Sequence, residues 1–335
     1  MPHFGTPDEA PSPVLGGETA ERASETAQLV FIGGTGRSGT HVLSQLISRH
    51  NRYALVPVEV RFHTDPEGFP GLLAGEVTPE EFLKRMRGFW WKGFQTNRFR
   101  GMYRFVDRDR YDAALAGFER DHGDDLKAAC RRLFYDLLWF RVEEQDRALA
   151  LVEQSTDNVA RAATLTEVFP EARFIHVVRD GRDASASRVS QTRGLVRPRT
   201  RVQGIEWWEQ RIRAIERGAD AIADGHLLTV SLDELVRMER ARMALRPLFR
   251  FLGAPMTKRT RRYFSNRMTV EEANKERWRA GISERKAERL AALYDEAVAR
   301  LEADGMRCAP LLRHSLERGD DRLDPLVYVY DRGPR

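Results

Sequence analysis

Residues 30–43 read VFIGGTGRSGTHVL, and no other stretch of the chain limits its fold as much. A short apolar run at 29–32 enters a turn holding four glycines and one arginine, and the amphipathic segment THVLSQLISRH follows at once. A strand that delivers such a turn onto a helix N-terminus leaves a ring of backbone N–H groups with the positive end of the helix dipole behind it. That arrangement suits a phosphate-like anion. It also commits the chain to an α/β unit.

The rest of the chain continues that pattern. Strand-like runs occur at 53–58 ending near Glu59, at 148–152 (ALALV), at 173–178 (RFIHVV) and at 226–230 (HLLTV), and the last three are each followed by a helical pattern. Strands separated by helices imply a parallel sheet with crossovers. Residues 78–146 change character: TPEEFLKRMRGF opens with a Thr-Pro-Glu helix start, and DDLKAACRRLFYDLLWFRVEE carries helical apolar spacing. The spacing predicts a helical insertion there and further helices over 231–253 and 283–304, with Gly305 as a C-cap. The expected architecture is one α/β domain over 28–310, a three-layer sandwich with a mainly parallel central sheet, its ligand site at the C-terminal strand ends. Residues 1–27, rich in Pro, Gly, Glu and Ser, are expected to be disordered, and 311–335 to form an irregular tail.

No apolar run approaches the roughly 20 residues that span a membrane, and no secretory pattern opens the chain, so a cytoplasmic protein is expected. Cys130 and Cys308 lack metal-ligand spacing and read as ordinary thiols, with no metal site. The formal net charge is +5, and lysine occurs only at 84, 92, 127, 258, 275 and 286, so nearly every cation is an arginine. Acids interspersed with these arginines argue against a nucleic-acid partner. Oligomeric state is not readable.

The glycine loop compares with the Walker A pattern, G-x-x-x-x-G-K-[ST]. Gly34 and Gly39 have its spacing, but Thr40 and His41 stand where the lysine and the magnesium-binding hydroxyl belong. An ATP-using P-loop phosphotransferase is therefore the alternative rather than the leading reading.

The segment GTGRSGTHVL resembles the 5′-phosphosulfate loop of PAPS-dependent sulfotransferases, usually G-x-P-[RK]-S-G-T-[ST]. The resemblance implies that Arg37 reaches the bridging oxygen and sulfuryl group while Ser38, Gly39, Thr40 and His41 cradle the 5′-phosphate. Gly36 replaces the common proline and His41 the common hydroxyl residue. A second segment, RFIHVVRDGRDASASRVS, is similar to the family's R-[ND]-x-[RK]-D-x-x-x-S. It implies that Arg179 and Ser187 hold the cofactor's 3′-phosphate, which suits a bidentate arginine and a hydroxyl donor on a helix. Arg182 and Asp183 read equally well as a local ion pair. Late in the chain, NKERWRAGIS resembles the family's Arg/Trp segment, so Lys275, Arg277 or Trp278 is a further candidate for nucleotide contact.

The acceptor must lose a proton, so a base is expected near the end of the second strand. In ALVPVEVRFHTDP, Glu59-Val60-Arg61 resembles the E-x-R context of tyrosylprotein sulfotransferases and many bacterial enzymes. This makes Glu59 the expected base, Arg61 its neighbour or acceptor contact, and His63 the runner-up. Family members often carry a lysine where this chain has Gln154, a charge that Lys92 or Arg37 would have to replace. The aromatic and basic segment 89–105 offers either an acceptor platform or core packing. The resemblance thus implies sulfuryl transfer from PAPS, without metal, to a hydroxyl or amine of a glycan, lipid or small molecule. A PAP-binding protein with impaired catalysis is a further alternative.

Overall fold

The computed structural model describes residues 28–93, 101–191, 197–238, 240–273, 276–317 and 328–330. The expectation for 1–27 lies outside them. Strand β1 (Gln28–Gly34) leads through the glycine turn into α1 (Thr40–Ser48) and β2 (Tyr53–Leu55). The helices α2 (Phe69–Leu73), α3 (Pro79–Arg85), α4 (Arg108–Asp121), α5 (Leu126–Leu138) and α6 (Phe140–Glu143) come next. Then β3 (Ala150–Glu153), α7 (Ala162–Val168), β4 (Arg173–Val178), α8 (Gly181–Val189), α9 (Arg201–Ala219) and β5 (Leu227–Ser231) alternate. The chain ends with α10 (Leu232–Arg237), α11 (Ala241–Phe251), α12 (Lys258–Arg267), α13 (Glu284–Ala303), α14 (Ala309–Glu317) and β6 (Tyr328–Tyr330).

The sheet runs β2-β3-β1-β4-β5-β6. Its first five strands are parallel and β6 lies antiparallel on β5. Because successive strand side chains point to opposite faces, β1 feeds two cores. Leu29 and Phe31 join Leu133, Phe134 and Phe169 on one face, while Val30 and Ile32 join Leu43, Leu46, Leu245 and Leu248 on the other. A third cluster, centred on Trp208, Tyr294 and Leu311, ties α8 and α9 to α13 and α14. Helices cover both faces of the sheet. Among the described residues no helix is long and apolar enough to cross a membrane. Cys130 and Cys308 are buried free thiols.

Two expectations about element limits change. The run at 53–58 ends as a strand at Leu55; the Val56 N–H still donates to the Val152 oxygen at 2.9 Å, and Pro57, which has no N–H, cannot continue the ladder. The tail expected to be irregular from residue 311 instead carries the rest of α14, where Leu311 and Leu312 pack into the third core, and then β6. The added strand covers the edge of β5, which would otherwise present unpaired backbone groups.

Candidate functional site

The loop after β1 is shaped by close approach. A Cβ on Gly34 would lie 2.2 Å from Ser38 Oγ and 2.7 Å from the Val177 carbonyl oxygen, so only glycine fits. Gly36 (φ 81°), Arg37 (φ 63°) and Gly39 (φ 98°) are left-handed. For Arg37, a residue with a Cβ, that conformation costs on the order of 1–2 kcal/mol. The strain turns the chain back so that α1 starts at Thr40. Ser38 is fully buried at this helix start, and its hydroxyl has no hydrogen-bond partner among the described residues. A Cβ on Gly36 would meet nothing within 4 Å, so that stretch of backbone faces open space. Gly34→Ala should therefore cost about 1–3 kcal/mol of stability through overpacking and distort the loop. Thermal unfolding measures the first, and an unchanged Tm would show that the turn can relax.

Beside the loop, β4 ends at Val178 and α8 begins at Gly181, capped by the Asp180 carboxylate. Arg179, between them, donates to the backbone oxygens of Arg37 (3.1 Å) and Ala273. Ser187, two turns into α8 and buried, accepts from Arg37 Nε at 2.8 Å. The glycine loop and the Arg179/Ser187 motif are thus in direct contact, joined by the Arg37 side chain. Although Arg37 is exposed as a whole, its guanidinium pKa is lowered, first by desolvation and then by Arg179, Arg277 and Arg188. Four cations crowding one place favour an anion there.

Arg182 and Asp183 do not pair with each other. Arg182 pairs with Asp180 at 2.6 Å and lies between the rings of Trp278 and Tyr294. Asp183 accepts from the backbone N–H groups of Glu276 (3.0 Å) and Trp278 (3.2 Å). Together they pin the turn Arg277–Arg279 against α8 and bring Arg277 toward Arg37. Trp278 itself is buried packing. Lys275 lies outside the described residues.

A pocket of about 650 Å³ opens over the loop, lined by Gly36, Arg37, Gly39, Thr40 and His41 together with Glu59, Arg61, Thr156, Asp157 and Arg179. The Glu59 carboxylate makes no hydrogen bond to any described residue. Its pKa is pushed up to about 7, first by burial and then by the Glu153 carboxylate, with Asp157 and Asp65 adding and Arg61 opposing. Arg61, the other member of the E-x-R pair, is ion-paired with Asp65 at 2.7 Å. Asp65 in turn accepts from Trp90 Nε1 at 3.2 Å.

The runner-up base does not reach the pocket. The chain turns at Arg61 (φ 62°), which sends His63 inward, fully buried and stacked on Phe31. There His63 Nε2 lies 3.0 Å from Glu153 Oε2 and 2.9 Å from Asn158 Oδ1. Glu153 also accepts from the Ser155 N–H and hydroxyl, which fixes the turn carrying Thr156 and Asp157 to the pocket. Gln154 Oε1 accepts from Ser44 Oγ (2.8 Å) and contacts His41 Nδ1 (3.1 Å). Gln45 Nε2 meets His41 Nε2 at 2.9 Å. An amide oxygen on one side and an amide nitrogen on the other assign the neutral Nδ1–H tautomer to His41. Lys92 does not supply the missing charge. It lines a separate cavity with Trp91, Tyr103 and Arg108.

Sequence reasoning missed the far wall, built from Arg188, Gln191, Trp207 and Arg211. Arg188 sits over the Trp207 ring at 5.5 Å and donates to Gln191, and Arg211 is ion-paired with Asp157. The one signal was the spacing of Trp207 and Arg211, four apart on α9, which places them on one helix face. In segment 89–105, Trp90 is buried and Trp91 packs on Tyr111 under Arg108, so its described part is largely packing. Residues 94–100 lie outside the described set.

The sequence matches the sulfotransferase family over residues 29–258, more than half of the chain. Among solved structures it is similar to the sulfotransferase domain from the Synechococcus PCC 7002 olefin synthase (17% identity, TM-score 0.48, 77% of this chain and 89% of that one). It is also similar to the sulfotransferase domain from the curacin biosynthetic pathway (15% identity, TM-score 0.46, 74% and 82%). A sulfotransferase from Alicyclobacillus acidocaldarius matches at 16% identity, TM-score 0.45, over 86% and 98%. No curated protein matches.

Proposed function

Because the chain belongs to the sulfotransferase family, we propose that it transfers a sulfuryl group from PAPS to a hydroxyl or amine of a glycan, lipid or small-molecule acceptor, leaving PAP. One observation carries the reading: a single pocket gathers the glycine loop, Arg37 and Arg179, and a partnerless carboxylate whose pKa is pushed up to about 7, with buried Ser187 joined to the pocket through Arg37. The residues fit the donor. Ser38 offers a buried hydroxyl without a partner, Gly36 offers open backbone, and the convergent guanidiniums are relieved by an anion among them.

PAPS bound there supplies SO₃ activated as a mixed anhydride with phosphate. By analogy with loose, in-line phosphoryl transfer, positioning and charge stabilisation dominate. The acceptor oxygen or nitrogen bonds to sulfur, the bond from sulfur to the phosphate oxygen breaks, and Glu59 takes the acceptor's proton. Arg37, Arg179 and Arg277 balance the charge left on the phosphates. Arg61, held by Asp65, borders the acceptor side.

PAP should raise the melting temperature by an amount that grows with the logarithm of ligand excess, whereas ADP and magnesium-ATP should not. A larger shift with magnesium-ATP would move the protein to the phosphotransferases. Labelled PAPS offered with a panel of acceptors then identifies the product. The second reading, PAP binding without turnover, draws on Gln154, whose side chain is committed to Ser44 and His41. Stabilisation by PAP with no transfer to any acceptor would select it.

A further inference from the structure

Between residues 240 and 270 the chain carries eight arginines, one lysine and no Asp or Glu. These nine cations fall on α11 and α12 and the residue leading into α11. Arg267 is ion-paired with Glu272 at 3.5 Å. Among the described residues the other eight have no ion pair. Elsewhere arginines commonly have one: Arg87 with Glu119, Arg131 with Glu171, Arg213 with Glu209 and Arg307 with Glu216. Seven of the eight, all but the half-buried Arg261, are exposed. Like charges packed this closely repel one another, so the face is destabilised unless an anion covers it.

Two cavities flank α12. One, of about 610 Å³, has Arg49, Asn51, Arg259, Arg262 and Asn266 in its wall, with one carboxylate, Asp146, ion-paired with Arg147 at 3.7 Å. The other, of about 790 Å³, has Arg240, Arg242, Arg261, Arg262 and Ser265. Arg262 borders both. This surface is remote from the pocket over the loop. Arg49 and Asn51 lie between the end of α1 and the start of β2, at the N-terminal edge of the sheet, whereas the loop, Glu59 and Arg179 follow C-terminal strand ends.

We propose that the α11–α12 face is a binding site for an acidic glycan, a polysaccharide bearing sulfate or carboxylate groups. Guanidinium forks match both groups bidentately. Asn51, Ser265 and Asn266 offer neutral hydrogen-bonding groups suited to sugar hydroxyls. The chemistry disfavours other polyanionic partners. Met243 is the one large hydrophobic residue of these two helices recorded as exposed, too little for the apolar centre of a protein interface or for insertion into lipid. The Tyr263 ring is covered by Arg49 at 5.0 Å, so it offers no free platform for stacking bases.

The test uses fluorescein-labelled heparin, a polysulfated glycan, titrated with the full chain at low and at moderate salt and read by anisotropy. Binding should be tight at low salt and weaken as salt rises. Arg259→Ala combined with Arg262→Ala should weaken it about tenfold. A control pair on α13, Arg285→Ala with Arg289→Ala, should leave it nearly unchanged. Because heparin could also enter the pocket over the loop, PAP affinity is measured in every variant and should not move. That comparison keeps this proposal separable from the donor reading. If the first pair disturbs α12, Arg242→Ala with Arg246→Ala on α11 serves instead. The proposal is overturned by absent binding at low salt, by equal losses in both pairs, or by tighter binding of a labelled single-stranded oligonucleotide or of phosphatidylglycerol vesicles.

Discussion

Replacing Glu59 by Gln is expected to lower kcat by roughly 10²–10⁴, the usual contribution of a positioned general base, with PAP affinity nearly unchanged. The wild-type protein should show kcat/KM rising with pH to a plateau above about 7, because the carboxylate must be ionised to accept a proton and its pKa lies there. That limb should be absent from the Gln variant. Full activity in it would pass the role to water, since His63 is enclosed beneath the site.

The same substitution should strengthen the fold. A carboxyl whose folded-state pKa is raised from 4.5 to about 7 holds its proton more tightly folded than unfolded. Stability from this group is complete below 4.5 and is lost as pH rises through 7. Glu59→Gln should therefore be the more stable protein at pH 8, by on the order of 1–3 kcal/mol, with the difference vanishing in mild acid. Melting curves at both pH values check this. Equal curves at pH 8 would mean that the carboxylate is better solvated than its surroundings imply.

Arg179→Ala is expected to weaken PAP binding by about 2–5 kcal/mol, the cost of removing one partner of a desolvated charge pair, or roughly 30- to 4,000-fold in Kd. The variant also leaves the carbonyls of Arg37 and Ala273 without this donor, so the loop loses a brace as well as a ligand. Arg179→Lys separates the two effects by keeping the charge but not the fork. Calorimetry showing wild-type affinity in the alanine variant would refute the assignment.

Local signals account for what could be read from the chain alone. RFIHVV matches β4 end to end because six residues of strand character are bounded by Ala172 and by an arginine that opens the next turn. The glycine loop was legible because close approach to Ser38 and Val177 leaves Gly34 no substitute. Glu59 was legible as a carboxylate in the turn after the second strand, but its environment was not, since Glu153, Asp157 and Asp65 reach it from other turns. Arg188, Trp207 and Arg211 escaped because no short motif encodes them. They meet where α9 packs on α8, with Gly204 against Ser185 and Gly181 against Trp208. The basic run at 240–270 was in plain view, but counting acids and bases over the whole chain averaged it away.

In the proposed binding mode, the contact from Arg37 to Ser187 couples the two phosphate ends of the nucleotide thermodynamically. While its oxygen accepts from the guanidinium, the Ser187 hydroxyl can still give its own hydrogen away, and the positive charge behind it makes that donation stronger. Truncating either residue would then weaken grip at the opposite terminus, and the losses measured singly would sum to more than the loss in the double variant.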